Sequence, residues 1–493
     1  MPANKKSDLP FSLSENMAPC LGEEEVFHIH NLAQKLKDQD SKLLNMENFG
    51  PQVHQGYRPG PVIFYEDHRA IALSTAKSSL HYQYRLRLLA RQQDIMLMEN
   101  IQAPEFEAYC SETLNLPSPE MICLTKSEEN APLAKSCLED ETAMARLMDI
   151  GRKNGCLNIM PYLSTGWTWV LAQKIAQQAD IPVYVMGPAP YLSEKTNDKL
   201  WFSERILDIF GPSALPETHY AFGPDALAIE VSRLAKDHSR IVVKIPSSAS
   251  SVGNMVIETA PLKNMPLDEL EEHLLDLVQF PGAQQIYPLA VSVWDSQVLT
   301  SPSLQIWIPE ISSGPPLIEG LFEQALDSVS GAFIGARPAI LSDTIKDGLL
   351  HEGSMIALLF QNLGYYGRCS LDSVICEKSG QKKIHWIECN GRWGGVSIPM
   401  TAAQNLTGHW QSDLQIIVQD RAQEQALPQD NFLKSTRDLH YNSSRKKDGI
   451  VILTPQNNDV ASYHDYMILA KDIQQGQSLY DKVNKMTKTE LIS

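Results

Sequence analysis

Short apolar runs of strand length recur along the first part of the chain: PVIFYE, DIMLME, EMICLTK, CLNIMPYL and IPVYVMG. Segments of helical composition, such as STAKSSLHYQYRLRLLARQ and EDETAMARLMDIGRKNG, separate them. Strands alternating with helices predict βαβ units and a largely parallel sheet. Glycine and two prolines in GPAPYLSE end the pattern. The first α/β unit therefore spans residues 61–194. Residues 1–60 precede it as a mixed segment, with a helix near EEEVFHIHNLAQKLKD and a polar connection through NFGPQVHQGYRPGP.

A helical, turn-rich piece follows, with helices in NDKLWFSERILDIFG and DALAIEVSRLAKD, and leads into the strand RIVVKI. AQQIYPLAVSVW and SLQIWIPEI read as further strands, and DTIKDGLLHEGSMIALLFQNLG as a long helix. GRCSLDSVICE and KKIHWIECN form a hairpin through the turn sequence KSGQ. Residues 421–493 are expected to hold one strand, GIVILTP, and a C-terminal helix in KDIQQGQSLYDKVNKM.

At 493 residues the chain exceeds one ordinary core. A formal net charge of −17 argues against general nucleic-acid binding, which needs a basic surface, but leaves room for a small basic nucleotide pocket. The chain shows no apolar run long enough to span a membrane, and MPANKKSDLPFSLSENMAP lacks the apolar core of a secretory signal. The eight cysteines are scattered without zinc-type spacing, so they read as reduced thiols in a cytoplasmic setting. His28 and His30 make an isolated HxH that reads as ordinary structure rather than a metal site.

Two constellations carry chemistry. In IVVKI, alternation sets Lys244 inside a β-branched strand, where its charge is costly unless an anion meets it. PSSASSVGN follows directly, and its small residues would let backbone N–H groups and serine hydroxyls approach phosphate oxygens. A snorkelling lysine on an edge strand beside a surface loop is the competing reading. The loop has a single glycine and no GK[ST], so it is not a Walker motif.

In the hairpin, alternation puts Ile384, Trp386, Glu388 and Asn390 on one face, and the KSGQ turn sets Asp372 opposite Glu388. Two carboxylates that close repel unless a cation lies between them, and this set of oxygen donors suits Mg²⁺. Arg392 is then free to clamp a phosphate or carboxylate. The competing reading is an edge hairpin whose charges face water. The apolar setting of both strands favours the metal site.

In this order, from about Asn197 to Gly395, the two constellations resemble the ATP-grasp superfamily. The resemblance implies a Rossmann-like pre-ATP-grasp domain at 61–194, a two-lobed ATP-grasp domain at 195–420 and a C-terminal extension at 421–493. It implies ATP contacts by Lys199 in NDK and by Lys244, with a phosphate-covering loop that includes Ser247, Ser248, Ser250, Ser251 and Gly253. It also implies Mg²⁺ ligands at Asp372, Glu388 and Asn390, and a catalytic clamp at Arg392. The loop is serine-rich where relatives are glycine-rich, and the hinge QQIYPLAVSVW lacks the usual acid. Backbone near Leu289 and Val291 is left to meet adenine, and Asp295 the ribose. GRWGG and SPSLQIWIP look most like the peptide-ligase branch typified by pheganomycin biosynthesis.

The implied reaction is ATP-dependent carboxylate–amine ligation through an acyl phosphate, releasing ADP and phosphate. The implied substrates are small molecules, an amino acid or short peptide among them. Arg337 and Arg368 are candidates for holding a substrate carboxylate, or are solvated surface arginines. A phosphotransferase on the same fold and a catalytically silent interaction protein are the alternatives. No GxGxxG follows the first-domain strands, which disfavours a dinucleotide oxidoreductase. The C-terminal strand and helix finish the substrate pocket or make a homodimer contact, and the sequence leaves both open.

Overall fold

The computed structural model of the chain describes residues 9–44, 48–66, 80–99, 103–125, 131–245, 253–278, 287–295, 297–327, 333–378, 380–421, 429–444, 448–455 and 463–490. Their strands form three sheets. The first contains β1 (Val53–Gln55), β2 (Val62–Tyr65), β3 (Ile95–Met98), β4 (Glu120–Cys123), β5 (Leu157–Pro161) and β6 (Val183–Val185), in the order β1-β6-β5-β2-β3-β4. Every pairing is parallel. All residues of β2, β3 and β5 are buried, because helical segments cover both faces. Leu133, Leu147 and Ile175 pack on one face, and Tyr84, Leu86 and Phe106 on the other. Each fully buried apolar side chain contributes about 1.5–3 kcal/mol. The five apolar runs all become strands. β1 does not follow the expectation: it lies in the segment read as a polar connection, a short edge strand, partly exposed, with a single apolar residue and no periodicity to betray it.

The second sheet is antiparallel, β7 (Thr218–Ala221), β8 (Arg240–Lys244), β9 (Asn254–Glu258) and β10 (Leu289–Val293), in the order β7-β10-β8-β9. Helices Pro224–Asp237 and Leu267–Leu277 pack against the face carrying Ile241, Val243, Ile257 and Val291. Lys244 emerges from the opposite face, as alternation along β8 requires.

The third sheet holds β11 (Val298–Thr300), β12 (Pro302–Ile308), β13 (Leu317–Leu326), β14 (Phe333–Pro338), β15 (Gly367–Lys378), β16 (Gln381–Asn390), β17 (Leu414–Arg421), β18 (Gly449–Ile452) and β19 (Tyr463–Leu469). β15 is long enough to pair with β11 and β12 along one edge and β16 along the other. The long helix Asp343–Asn362 packs on one face, with helix Glu23–Gln39 behind it, around Leu304, Ile318, Leu349, Phe360 and Trp386. Residues after 420 were expected to add one strand and a helix. Both are present, as β18 and helix Ile473–Glu490, and β19 is added to them. β19 pairs antiparallel with β17 and β18, so this stretch extends the large sheet. The N-terminal segment also belongs here. Phe11 meets Trp307 and Trp393 edge-on at 5.4 and 5.3 Å, and Met17 N–H donates to Ile318 O at 2.8 Å.

Candidate active site between the small and large sheets

The hairpin β15–β16 has the expected register: Asp372 lies opposite Glu388 and Ser370 opposite Asn390. One step further the register shifts, with Ser373 opposite Trp386, so Ile387 is an extra residue without a partner. This β-bulge reverses the side-chain faces, as an inserted residue must. Trp386 therefore points into the core and donates its indole N–H to Glu352 at 2.7 Å, beside buried Cys389. Glu388 and Asn390 point the other way, with Asp372. The single face expected for Ile384, Trp386, Glu388 and Asn390 is thus corrected.

Around the acids, Ser303 Oγ donates to Asp372 at 2.6 Å, and Asn390 Nδ2 donates to Asp372 at 2.9 Å and to Glu388 at 3.5 Å. Burial pushes the Asp372 carboxyl up to about 6, and the Glu388 charge adds to the rise. Burial would raise Glu388 as well and is the largest single effect on it, but the charges of Lys199, Arg392 and Lys244 together outweigh it and hold Glu388 below its ordinary value. Lys199 Nζ lies 3.2 Å from Glu388. The lysine read as an ATP contact thus has a protein carboxylate as its partner here.

The NDK stretch explains how the acids are held. Asp198 caps helix Lys199–Phe210 by accepting from Leu200 and Trp201 N–H, which sets Lys199 in the first helical turn. Asn197 accepts from Gly391 N–H at 3.1 Å and from Arg392 Nη1 at 2.6 Å, and its amide donates to Ser193 O at 2.7 Å. Sequence reasoning missed Asn197. The signal was its place in the NDK triplet, but its partners are far along the chain. Gly391 permits the approach: a Cβ there would meet Thr196 Oγ1 at 2.4 Å. Arg392 Nε is buried and has no partner among the described residues. Trp393 N–H donates to Tyr162 O at 3.1 Å, joining this turn to the end of β5.

Lys244 completes the set from the small sheet. Burial first, and then the Lys199 charge, lower it to about 8 against the opposing pull of Glu388 and Asp295. Gly253 O accepts from Ile245 N–H at 2.8 Å, closing the base of the loop after β8. Ser247, Ser248, Ser250 and Ser251 lie outside the described residues.

Four other expectations meet different surroundings. Leu289 and Val291 are fully buried in the small-sheet core, and β10 is flanked by β7 and β8, so its backbone is engaged in pairing rather than open to adenine. Asp295 accepts from or shares a proton with His385 Nδ1 at 2.8 Å. Arg337 is exposed and paired with Glu323 at 2.9 Å. Arg368 is no surface arginine: it is buried against Glu319, beneath Trp307, Trp393 and Phe11, so a protein carboxylate already answers its charge. Among the described residues no helix is long and apolar enough to cross a membrane.

The Pre ATP-grasp domain family matches residues 83–177. No curated protein matches the sequence. Among solved structures, an N5-carboxyaminoimidazole ribonucleotide synthetase in its ADP complex aligns with a TM-score of 0.51 at 11% identity, covering 87% of this chain and 98% of that one. An N5-carboxyaminoimidazole synthase from Aspergillus clavatus, bound to ADP and its ribonucleotide, aligns at 0.49 and 9% identity, over 87% and 99%. A biotin carboxylase from Campylobacter jejuni aligns at 0.49 and 12% identity, over 86% and 88%. The parallel sheet holding the matched segment, followed by a small and a large antiparallel lobe, gives this chain a mixed α/β architecture: a pre-ATP-grasp domain ahead of an ATP-grasp fold.

Proposed function

We propose that the chain is an ATP-dependent carboxylate–amine ligase that works through an acyl phosphate and releases ADP and phosphate. One observation carries the reading: the Lys244 ammonium, from the small sheet, and the Glu388 carboxylate, at the end of the large sheet beside Asp372 and Asn390, act on each other's charge. The ADP named for the structure of similar fold supports a nucleotide between them.

The residues present fit a hard divalent cation. Asp372 and Glu388 bring two carboxylates together, and the Asn390 amide, now turned N–H first toward both, presents its oxygen after a half-turn. Such an ion would supply charge neutralisation at the transferring phosphoryl group. Lys244 attracts the phosphates as a point charge, and Lys199, once drawn from Glu388, adds a second. The buried, unanswered Nε–H of Arg392 is oriented by Asn197 and donates to the oxyanion that forms when the amine attacks. Residues 246–254, most of them outside the described residues, are the stretch that would exclude water from the acyl phosphate.

The peptide-type substrate pair rests on the likeness of GRWGG and SPSLQIWIP to that ligase branch. The test is ADP release from Mg·ATP against a panel of amino acids and short peptides, with mass spectrometry of the products. A new amide product supports the reading. A stable phosphoester product replaces it with phosphotransfer, and absence of Mg·ATP binding by calorimetry replaces it with a silent scaffold.

A further inference from the structure

A second donor cluster lies where the chain passes from the small sheet to the large one. Asp295 stands just after β10, while Cys376 and His385 stand on β15 and β16. The bulge at Ile387 puts His385 on the same sheet face as Glu388, next to Cys376. His385 Nδ1 lies 2.8 Å from Asp295 Oδ2 and 3.6 Å from Cys376 Sγ. The carboxylate, imidazole and thiol donor atoms all lie within 4.8 Å of one another, and both Cys376 and His385 are buried. Spacing along the chain hides the group, because Asp295 and His385 are 90 residues apart.

We infer that Asp295, Cys376 and His385 form a site for a borderline transition-metal ion of the zinc type, at the joint between the two ATP-grasp lobes. The donor chemistry selects the class: a thiolate and an imidazole favour zinc-like ions over Mg²⁺, which prefers oxygen throughout. The distances agree. Bonds of about 2.0–2.3 Å at tetrahedral angles place nitrogen and sulfur donors about 3.6 Å apart. The Asp295–His385 contact must open, from its hydrogen-bond length to the roughly 3.3 Å that a nitrogen and an oxygen ligand subtend. The Asp295 and Cys376 donors, within 4.8 Å of each other, must settle at about 3.6 Å. On binding, the Cys376 thiol proton leaves to solvent, and a water fills the fourth position. A neutral His385 carries its proton on Nε2, while a doubly protonated ring releases the one on Nδ1. The ion cross-links the connector after β10 to the large sheet. It also competes with Lys244 for the Asp295 charge. The site does not depend on the ligase reading.

Cobalt(II) titrated into the full-length protein reports on the site. One equivalent is expected to bind with a near-ultraviolet thiolate-to-cobalt absorption, displaced by zinc. Cys376→Ser should abolish that band. His385→Gln and Asp295→Asn should weaken binding by more than the roughly 10–100-fold that loss of an outer-shell partner costs. Glu388→Gln should leave it intact, separating this site from the acid pair. Zinc should raise the thermal midpoint of the wild type but not of Cys376→Ser. Absence of a thiolate band in the wild type, or its persistence in Cys376→Ser, overturns the inference. If Cys376→Ser fails to fold, unchanged cobalt affinity in both other variants overturns it equally.

Discussion

Asp372 and Glu388 face each other across β15 and β16, yet their carboxyls shift in opposite directions. Burial and the neighbouring charge raise Asp372 to about 6, while Lys199 holds Glu388 down. In the ligand-free protein Asp372 titrates between its unfolded value of 3.8 and about 6. Below that window both states are protonated and the pair does not strain the fold. Through the window the unfolded chain ionises first, so this contribution to stability falls as pH rises and is lost above about 6. Thermal melts from pH 4 to 7 should show that decline, and Mg²⁺ should reverse it most strongly at the upper end. Asp372→Asn should flatten the profile and remove the Mg²⁺ response.

Lys244 gives the complementary limb. Burial lowers it to about 8, so its positive charge fades as pH rises through that value. Mg·nucleotide affinity measured by calorimetry should climb through about pH 6 as Asp372 ionises and decline above about pH 8. Lys244→Ala should cut ADP formation by roughly 10²–10³-fold, the usual loss for one preorganised electrostatic group. Circular dichroism should stay unchanged. Near-wild-type turnover in that variant would end the proposed mechanism.

Asn197 is expected to matter as a positioning residue for Arg392. Its carboxamide oxygen serves both Gly391 N–H and the guanidinium. Asn197→Ala should lose about 1.5–3 kcal/mol, as for a hydrogen bond to a charged group, read from urea denaturation. It should also lower kcat more than nucleotide affinity. Gly391→Ala should be as damaging, since its Cβ meets Thr196 Oγ1, and Thr196→Ala in the same chain should recover part of the loss.

Arg368 is expected to act on stability rather than on substrate. Its guanidinium is enclosed with Glu319, and Thr401 Oγ1 accepts a further bond at 3.3 Å. Glu319→Ala leaves that charge buried and unpaired, which should cost about 3–5 kcal/mol in denaturant melts. A Glu319→Ala protein of wild-type stability but altered substrate KM would return Arg368 to the substrate site.

Much of the site was legible because neighbouring residues write their own periodicity. The KSGQ turn announced a hairpin that brings Asp372 close to Glu388, and apolar runs between helices announced a parallel sheet. The register that the turn sets, Lys378 opposite Gln381, would by strict alternation put Asp372 opposite Ile387, and the inserted residue brings Glu388 there instead. The bulge at Ile387 was not legible. An inserted residue has no compositional mark, yet it turns Trp386 to the core and leaves Glu388, Asn390 and His385 on the opposite face of the sheet.

The chain by itself determined which residues could be strands and which polar groups would need partners once buried, because backbone geometry and desolvation act locally. Only the tertiary structure decided who those partners are. Asn197 reaches Gly391 across 194 residues, and Lys199 meets Glu388 rather than solvent. Arg368 finds Glu319, and the strands after residue 420 complete the large sheet. Such choices depend on how separate sheets pack, and packing selects among many partners that sequence spacing leaves equivalent.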